Sequence, residues 1–354
     1  MALQQTMKAA VLHGQGDIRY EDYPMPQVKA NHVLVRVRAA GICGSDIPRV
    51  LGKAAHFYPV VLGHEFSGEV VEVGEGVTRL QAGDRVAAAP LVPCGVCDDC
   101  QEGSYALCKH YTFIGSRQQG GFAEYVVIPA ANAIKFTSVY SFSQGALFEP
   151  AGVALHGLLQ NQYSGGGTVA ILGAGTIGVF TGQWAQIFGA KKILFLDVDE
   201  ERLRIAKDIT GGEGINLSLE NGREAAMKAT NGKGFSYVFG TSGATDTLNM
   251  AYSIAANKAR ICFIGTPTTP VTFTAEEWEL MNRREFTVTG SWMSYSAPFP
   301  GREWTLTAEM MGQGRLKFDE RLIYQKFPLS QCAQAFASFQ MPGQVKGKIL
   351  LVNE

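Results

Sequence analysis

Four cysteines crowd the stretch PCGVCDDCQEGSYALC: Cys94, Cys97, Cys100 and Cys108, separated by two, two and seven residues. Four thiolates from one short loop can close a tetrahedron around Zn²⁺ and leave no position for a substrate, which makes such a site structural. Disulfide pairing and an iron–sulfur cluster are the other chemistries this spacing allows, and in a reducing compartment a tight cluster is expected to hold metal. A sparser set lies in GICGSDIPRV, VVLGHEFSGEV and GALFEPAGVALH: Cys43, His64, Glu65 and Glu149. One Cys, one His and a carboxylate keep a coordination position open for water or a substrate oxygen, as catalytic zinc requires. Spacing alone also allows a plainer reading, in which the His is structural and the Glu residues are solvated.

A third constellation is Gly173, Gly175 and Gly178 in LGAGTIG, with Thr176 and Ile177 between the last two glycines. An apolar strand precedes this G-x-G-x-x-G, a helix follows, and Asp197 ends the next strand 19 residues beyond the last Gly. In that setting the first Gly permits a tight turn, the second lets backbone approach a pyrophosphate, and the third packs helix on sheet. The helix start offers unpaired N–H groups to the anion. Asp197 can accept both ribose hydroxyls and repel a 2′-phosphate, which predicts NAD over NADP. Arg202 can stack on adenine or stay on a solvated helix face. Gly265 and Ser291, in the strand candidates ARICFIGT and FTVTGSW, complete the cofactor candidates.

These groups need two kinds of scaffold. From about residue 7 to 135 the chain reads as short Val-rich strands with polar alternation, a β-rich barrel or sandwich. From about residue 163 a Gly-rich loop leads into TVAILGAGTIGVFTGQWAQIFGAKKILFLDVDEERLRIAKDI, a βαβα pattern that continues as strand candidates to about residue 292. A helix candidate, EWTLTAEMMGQG, and a closing strand, GKILLVN, follow and could complete the first domain. At 354 residues and 46% apolar content, two domains are expected. Lys and Arg total 31 against 32 for Asp and Glu, with no basic tract, so nucleic acid is not an expected partner. The start carries no charged-then-apolar leader and no run of about 18 apolar residues follows, so a cytoplasmic, membrane-free protein is expected.

In order along the chain, GICGSD, LGHEFSG, GDRVA, the four-Cys loop, GGFAEY, the Glu149–Pro150 pair, GAGTIG and FLDVD resemble the zinc-dependent medium-chain dehydrogenase/reductases, in their polyol dehydrogenase branch. The resemblance runs from about Met7 to VKGKILLV, and residues 1–6 precede it as an alternative start or an extension. It implies an α/β protein: a GroES-like β-barrel catalytic domain over 1–152 and 293–354, a Rossmann doubly wound parallel sheet over 153–292, and the active site in the cleft between them. It also implies two Zn²⁺ per chain. Cys43, His64 and Glu149 become ligands of the catalytic one, and Glu65 either joins them or exchanges with water. Where alcohol dehydrogenases proper commonly carry Cys, this chain has Glu149, which favours a polyol.

Within the branch, CGSDIPR, AHFYP, FIGSRQQGGFAEY and GSWMSYSAPFPGREW are most like members acting on a phosphorylated hexitol. The implied reaction passes hydride from a secondary alcohol to NAD, with Ser45 relaying the proton or, alternatively, only capping its own turn. A phosphate would need cations, for which Arg49, Lys53, His56, Arg117 and Arg302 are candidates. Competing readings are a dehydrogenase of free sorbitol, xylitol, L-threonine or a cyclic amino-polyol, a zinc-free quinone or enone reductase, and a non-catalytic NAD-binding sensor. The segment RREFTVTGS could supply an edge strand for a homodimer, with a tetramer also open.

Overall fold

The computed structural model describes residues 5–219, 221–267, 269–341 and 343–353. Residues 1–4 of the N-terminal extension lie outside them, whereas Thr6 already opens the first strand, Thr6–Gly14. Two compact units are present. One is drawn from Met1–Glu149, Tyr295–Gly314 and Phe318–Glu354, the other from Pro150–Ser294 and Arg315–Lys317. The division falls inside the helix Phe148–Gln160, after its second residue.

The first unit is the β-rich one. Its central strand, His32–Ile42, pairs antiparallel with Glu65–Val73 on one side and with Lys348–Val352 on the other. The strand Tyr125–Pro129 also pairs with its first half. The Val positions that alternate along His32–Ile42 are buried, and they join Leu12, Val61, Phe66, Phe122, Ile349 and Leu351 in one apolar core. Three strands that lie far apart in sequence are thus adjacent in space. Their register sets Gly41 opposite both Glu65 and Leu350. A Cβ on Gly41 would lie 2.6 Å from Glu65 Oε2, so this position must stay without a side chain for Glu65 to occupy its place.

The second unit is a six-stranded, wholly parallel sheet. With its strands numbered by sequence within the unit, the order is 3-2-1-4-5-6, the arrangement of dinucleotide-binding sheets. Its first strand, Gly166–Leu172, becomes fully buried from Val169 onward, as a strand covered on both faces should be. The following helix, Thr176–Ile187, is buried from Gly178 through Ala185. The next helix, Glu200–Thr210, starts where the Asp199 carboxylate accepts the Arg202 N–H and stops at left-handed Gly211. The strand Thr287–Gly290 forms one edge of the sheet. Among the described residues no helix is long and apolar enough to cross a membrane.

Candidate active site

The four-Cys loop folds as its spacing predicts. All seven cysteines are free thiols, which sets the disulfide reading aside. Cys94, Cys97, Cys100 and Cys108 converge, with Sγ–Sγ separations of 4.0 Å for Cys94–Cys100 and 3.8 Å for Cys97–Cys108. Zn–S bonds of about 2.3 Å in a tetrahedron give S–S edges of about 3.8 Å, so the four sulfurs already fit a zinc ion. Backbone N–H groups of Val96 and Cys97 donate to Cys94 and pull its pKa down to about 6. Burial pushes Cys100 up to about 12. The loop braces the segment after residue 294: Tyr105 sits edge-on to Phe299, Phe299 stacks on Tyr295, and Gly103 leaves room for Ala297.

The second cluster lies wholly in the β-rich unit and consists of Cys43, His64 and Glu65, with ligand atoms all within 4.8 Å of one another. His64 and Glu65 are buried at the start of the Glu65–Val73 strand, and the His64 ring is packed edge-on to Phe113. Glu149, expected as the third ligand, is half-buried and outside this trio, yet close enough to respond to its charges. Burial first, and Glu65 next, raise the Glu149 pKa to about 7.

Two residues to which no role had been given complete the surroundings. Asp46 is fully buried, accepts the Cys43 N–H at 3.1 Å, and places Oδ1 3.5 Å from His64 Nδ1. A carboxylate behind one ring nitrogen fixes the tautomer that offers the other to a metal. Burial opposes a charged His64, but Asp46 and Cys43 outweigh it and hold its pKa well above the usual imidazole value. Lys348, with 11% of its side chain exposed, sets Nζ 2.8 Å from Glu65 Oε1 and 2.6 Å from Oε2. Burial works against its charge, and Glu65, Cys43 and Glu149 together raise its pKa. The sequence offers only faint signals for them, Asp46 as the acidic residue three positions after Cys43 and Lys348 as the one cation in KILLV, and neither signal marks burial.

The charges of this neighbourhood test its fitness for a metal. Cys43 as thiolate, Asp46, Glu65 and Glu149 are four potential anions; with His64 neutral, as a metal ligand must be, Lys348 and Arg49 are the cations that face them among the described residues. Buried charge persists only when compensated, and a divalent ion supplies the two charges still wanting. The donor set of thiolate, imidazole and carboxylate is one that zinc accepts.

Ser45 is exposed two residues from Cys43, and its carbonyl accepts Arg49 Nη1 at 2.6 Å. Among the cationic candidates, Arg49 lies 3.7 Å from Asp46 and keeps a buried Nε with no hydrogen-bond partner. His56 has its pKa lowered by partial desolvation and then by Arg117 and Arg49, so the charges of both guanidinium groups reach it. Arg117 rests over the Tyr111 ring, while Lys53 and Arg302 are exposed, Arg302 at the start of the helix Arg302–Gly312.

In the parallel-sheet unit, Gly173 has φ +110°, and a Cβ on Gly178 would collide with the Gly173 carbonyl oxygen. A Cβ on Gly175, by contrast, would meet nothing within 4 Å, and the helix it begins has no side-chain cap. Thr176, Ile177 and Gly178 thus present a helix N-terminus to open space, the cradle a pyrophosphate needs. Asp197, buried at its strand end, accepts the Ala174 N–H at 2.7 Å through Oδ2 and the Asp199 N–H at 2.9 Å through Oδ1. Each oxygen keeps a further acceptor site for a ribose hydroxyl. Arg202 stands partly buried in the first turn of the next helix. Gly265 follows the strand Ala255–Phe263 and packs against the Ser242 carbonyl; Ser291, after Thr287–Gly290, has a buried hydroxyl without a partner.

Comparison with known proteins joins the two units. The model of the alcohol dehydrogenase GroES-like domain matches residues 29–138, and that of the zinc-binding dehydrogenases matches 176–309. Galactitol 1-phosphate 5-dehydrogenase of Escherichia coli K12 is 36% identical over 343 residues, 96% of this chain and 99% of the relative. The chain is a zinc-binding medium-chain dehydrogenase of the polyol branch. The crystal structure of galactitol-1-phosphate dehydrogenase from Escherichia coli superposes on this dehydrogenase with a TM-score of 0.92 at 36% identity, covering 98% of this chain and 100% of that one. Sorbitol dehydrogenase of Bacillus subtilis is 33% identical over 269 residues, 75% of this chain and 76% of the relative. A solved alcohol dehydrogenase from Escherichia coli CFT073, complexed with NADH, is 28% identical with a TM-score of 0.88, covering 99% of this chain and 100% of that one. The expected pairing of a Rossmann sheet with a GroES-like barrel agrees with these relatives.

Two measurements follow from this geometry. Replacing Cys97 by Ser should release one zinc equivalent and lower the melting temperature by several degrees, read by metal analysis and calorimetry; unchanged metal content would refute the four-thiolate site. In metal-free protein, zinc must displace protons from His64 and Glu149, whose pKa values are both raised. Zinc affinity at the Cys43 site should therefore rise with pH through neutrality, by about ten-fold per pH unit for each proton displaced, in competition titrations with a chelator.

Proposed function

We propose that this dehydrogenase oxidises a secondary hydroxyl of a polyol phosphate to the ketose with NAD, galactitol 1-phosphate to tagatose 6-phosphate being the favoured pair. When bound, zinc supplies Lewis-acid polarisation of the substrate hydroxyl and NAD supplies the hydride acceptor. Cys43 and His64 hold the metal with a carboxylate from Glu65 or Glu149, while Asp46 fixes the His64 imidazole. The Ser45 hydroxyl takes the proton from the substrate alcohol and hands it toward solvent, in keeping with its exposure beside Cys43. The N–H groups of Thr176, Ile177 and Gly178 bind the pyrophosphate. Asp197 binds the adenosine ribose, and Gly265, Ser291 and Arg202 serve the cofactor around it. The edge strand Thr287–Gly290 supports a two-fold sheet extension to a dimer.

One observation carries the phosphate. Arg49, one charge-pair distance from the Asp46 that backs His64, keeps a buried donor without an acceptor, and His56 and Arg117 stand with it. A phosphate dianion supplies acceptors for such donors, and guanidinium groups bind it bidentately. The sorbitol dehydrogenase relative favours a second reading, in which the substrate is a free polyol and these cations are simply solvated.

The two readings separate on NADH formation from galactitol 1-phosphate and from galactitol. Arg117→Gln should cut kcat/KM for the phosphorylated hexitol about ten-fold and leave the free hexitol unchanged; equal efficiency of the wild-type protein on both would refute the phosphate. Asp197→Ser should shift the NAD over NADP preference toward NADP by about ten- to a hundred-fold, the worth of a hydrogen bond to a charged group. An unchanged ratio would remove Asp197 from the ribose.

A further inference from the structure

A ladder of rings joins Arg117 to the His64 imidazole. The His64 ring meets Phe113 edge-on with centroids 5.5 Å apart, and Phe113 meets Tyr111 edge-on at 6.4 Å. The Arg117 guanidinium then lies over the Tyr111 ring, with Cζ 4.6 Å from its centroid. The backbone of this segment is fixed as firmly as its rings. Phe113 pairs with Leu91, and its carbonyl accepts the N–H groups of Ser116, Arg117 and Gln118, which folds the chain into a tight turn. Gly115, in that turn with φ +82°, lies against Gly63 and His64. A Cβ there would collide with the Gly63 carbonyl and come within 2.8 Å of the His64 nitrogen, so the turn that carries Arg117 packs directly on the backbone of His64. Arg49 reaches the same imidazole by another route. Its Nη1 donates to the Ser45 carbonyl at 2.6 Å and stands 3.7 Å from Asp46, the carboxylate beside His64 Nδ1.

We infer that Tyr111 is a positioning residue that sets the chain length of the substrate: its ring holds the Arg117 guanidinium at a fixed distance from His64, so a phosphate is bound well only when the carbinol that reacts lies a set number of carbons away. This rests on the polyol phosphate reading of the site. Arg117 is exposed, and a long side chain free in solvent would follow a phosphate wherever the substrate carried it. Stacked on an aromatic face, its planar fork is offered in one place and one orientation. Tyr111 is half-buried and braced by Phe113, so the ring holds its place as well.

The test compares NADH formation from three alcohols: galactitol 1-phosphate, galactitol, and xylitol 5-phosphate, whose farthest secondary hydroxyl lies one carbon nearer the phosphate. The wild-type protein should favour the hexitol phosphate over the pentitol phosphate. Tyr111→Leu should raise KM for galactitol 1-phosphate about ten-fold, leave its kcat and both constants for galactitol unchanged, and lower the preference over xylitol 5-phosphate by a similar factor. The Kd of galactitol 1-phosphate on the NADH-bound enzyme, read by calorimetry, should rise with KM. Tyr111→Phe, which keeps the aromatic face, should retain the wild-type constants. Three results overturn the inference: equal wild-type efficiency on the two phosphates, an unchanged preference in Tyr111→Leu, or equal losses in Tyr111→Phe and Tyr111→Leu. A matching loss on galactitol also overturns it, because that is the mark of damage passed through Phe113 to His64. If Tyr111→Leu does not fold, Tyr111→Gln carries the same comparison. Equal wild-type efficiency on galactitol and galactitol 1-phosphate would instead refute the phosphate reading, and the role of Tyr111 with it.

Discussion

The register of three strands is the constraint on which the catalytic half depends. Glu65–Val73, His32–Ile42 and Lys348–Val352 lie side by side, and their side-chain period of two leaves no freedom in what faces what. A slip of one residue would turn Glu65 and Lys348 to opposite faces, leaving a buried carboxylate and a buried ammonium without partners. Each is tolerable only because the other is there. The same register brings His64 beside Cys43 and lays the apolar residues of the central strand into the core. Packing and site chemistry are specified by one alignment.

The parallel-sheet unit solves a different problem by leaving groups unsatisfied. The helix after Gly175 has no side-chain cap, and nothing fills the space before it. The helix after Asp199, one strand further on, is capped in the ordinary way. Two helices of the same sheet are thus treated oppositely, and the exposed donors stand where an anionic group would satisfy them. Asp197 is held by two backbone N–H groups, so its carboxylate is oriented before any ligand arrives.

The metal-binding cysteines and the glycine loop were legible because local chain geometry suffices for them: four thiols within fifteen residues, and three glycines between a strand and a helix. The strands of GEVVEVGEGV and TVAIL were legible from periodicity for the same reason. The Cys43 cluster was only half visible. Cys43, His64 and Glu65 could be named from residue type, but their convergence depends on strand pairing, and Glu149 stands apart from the trio that spacing alone could not rank. Asp46 and Lys348 escaped notice because an acidic residue in a turn and a lysine near a glycine are ordinarily solvated, and only burial reveals their duty. Of the five cationic candidates, Arg49 and Arg117 both act on His56 through their charge, a coupling invisible in sequence because Arg117 lies in a distant loop.

The Glu65–Lys348 pair also bears on how the protein comes into being. The two residues are 283 positions apart, so at ribosomal speeds of about 5–20 residues per second the ammonium follows the carboxylate by roughly fifteen to sixty seconds. During that interval most of the β-rich unit has been made, but the strand that neutralises Glu65 has not. The nascent barrel must then keep this edge open to water, hold Glu65 protonated or lend it to some other cation, so the Glu65–Lys348 pair can form only after the intervening parallel-sheet unit has been synthesised.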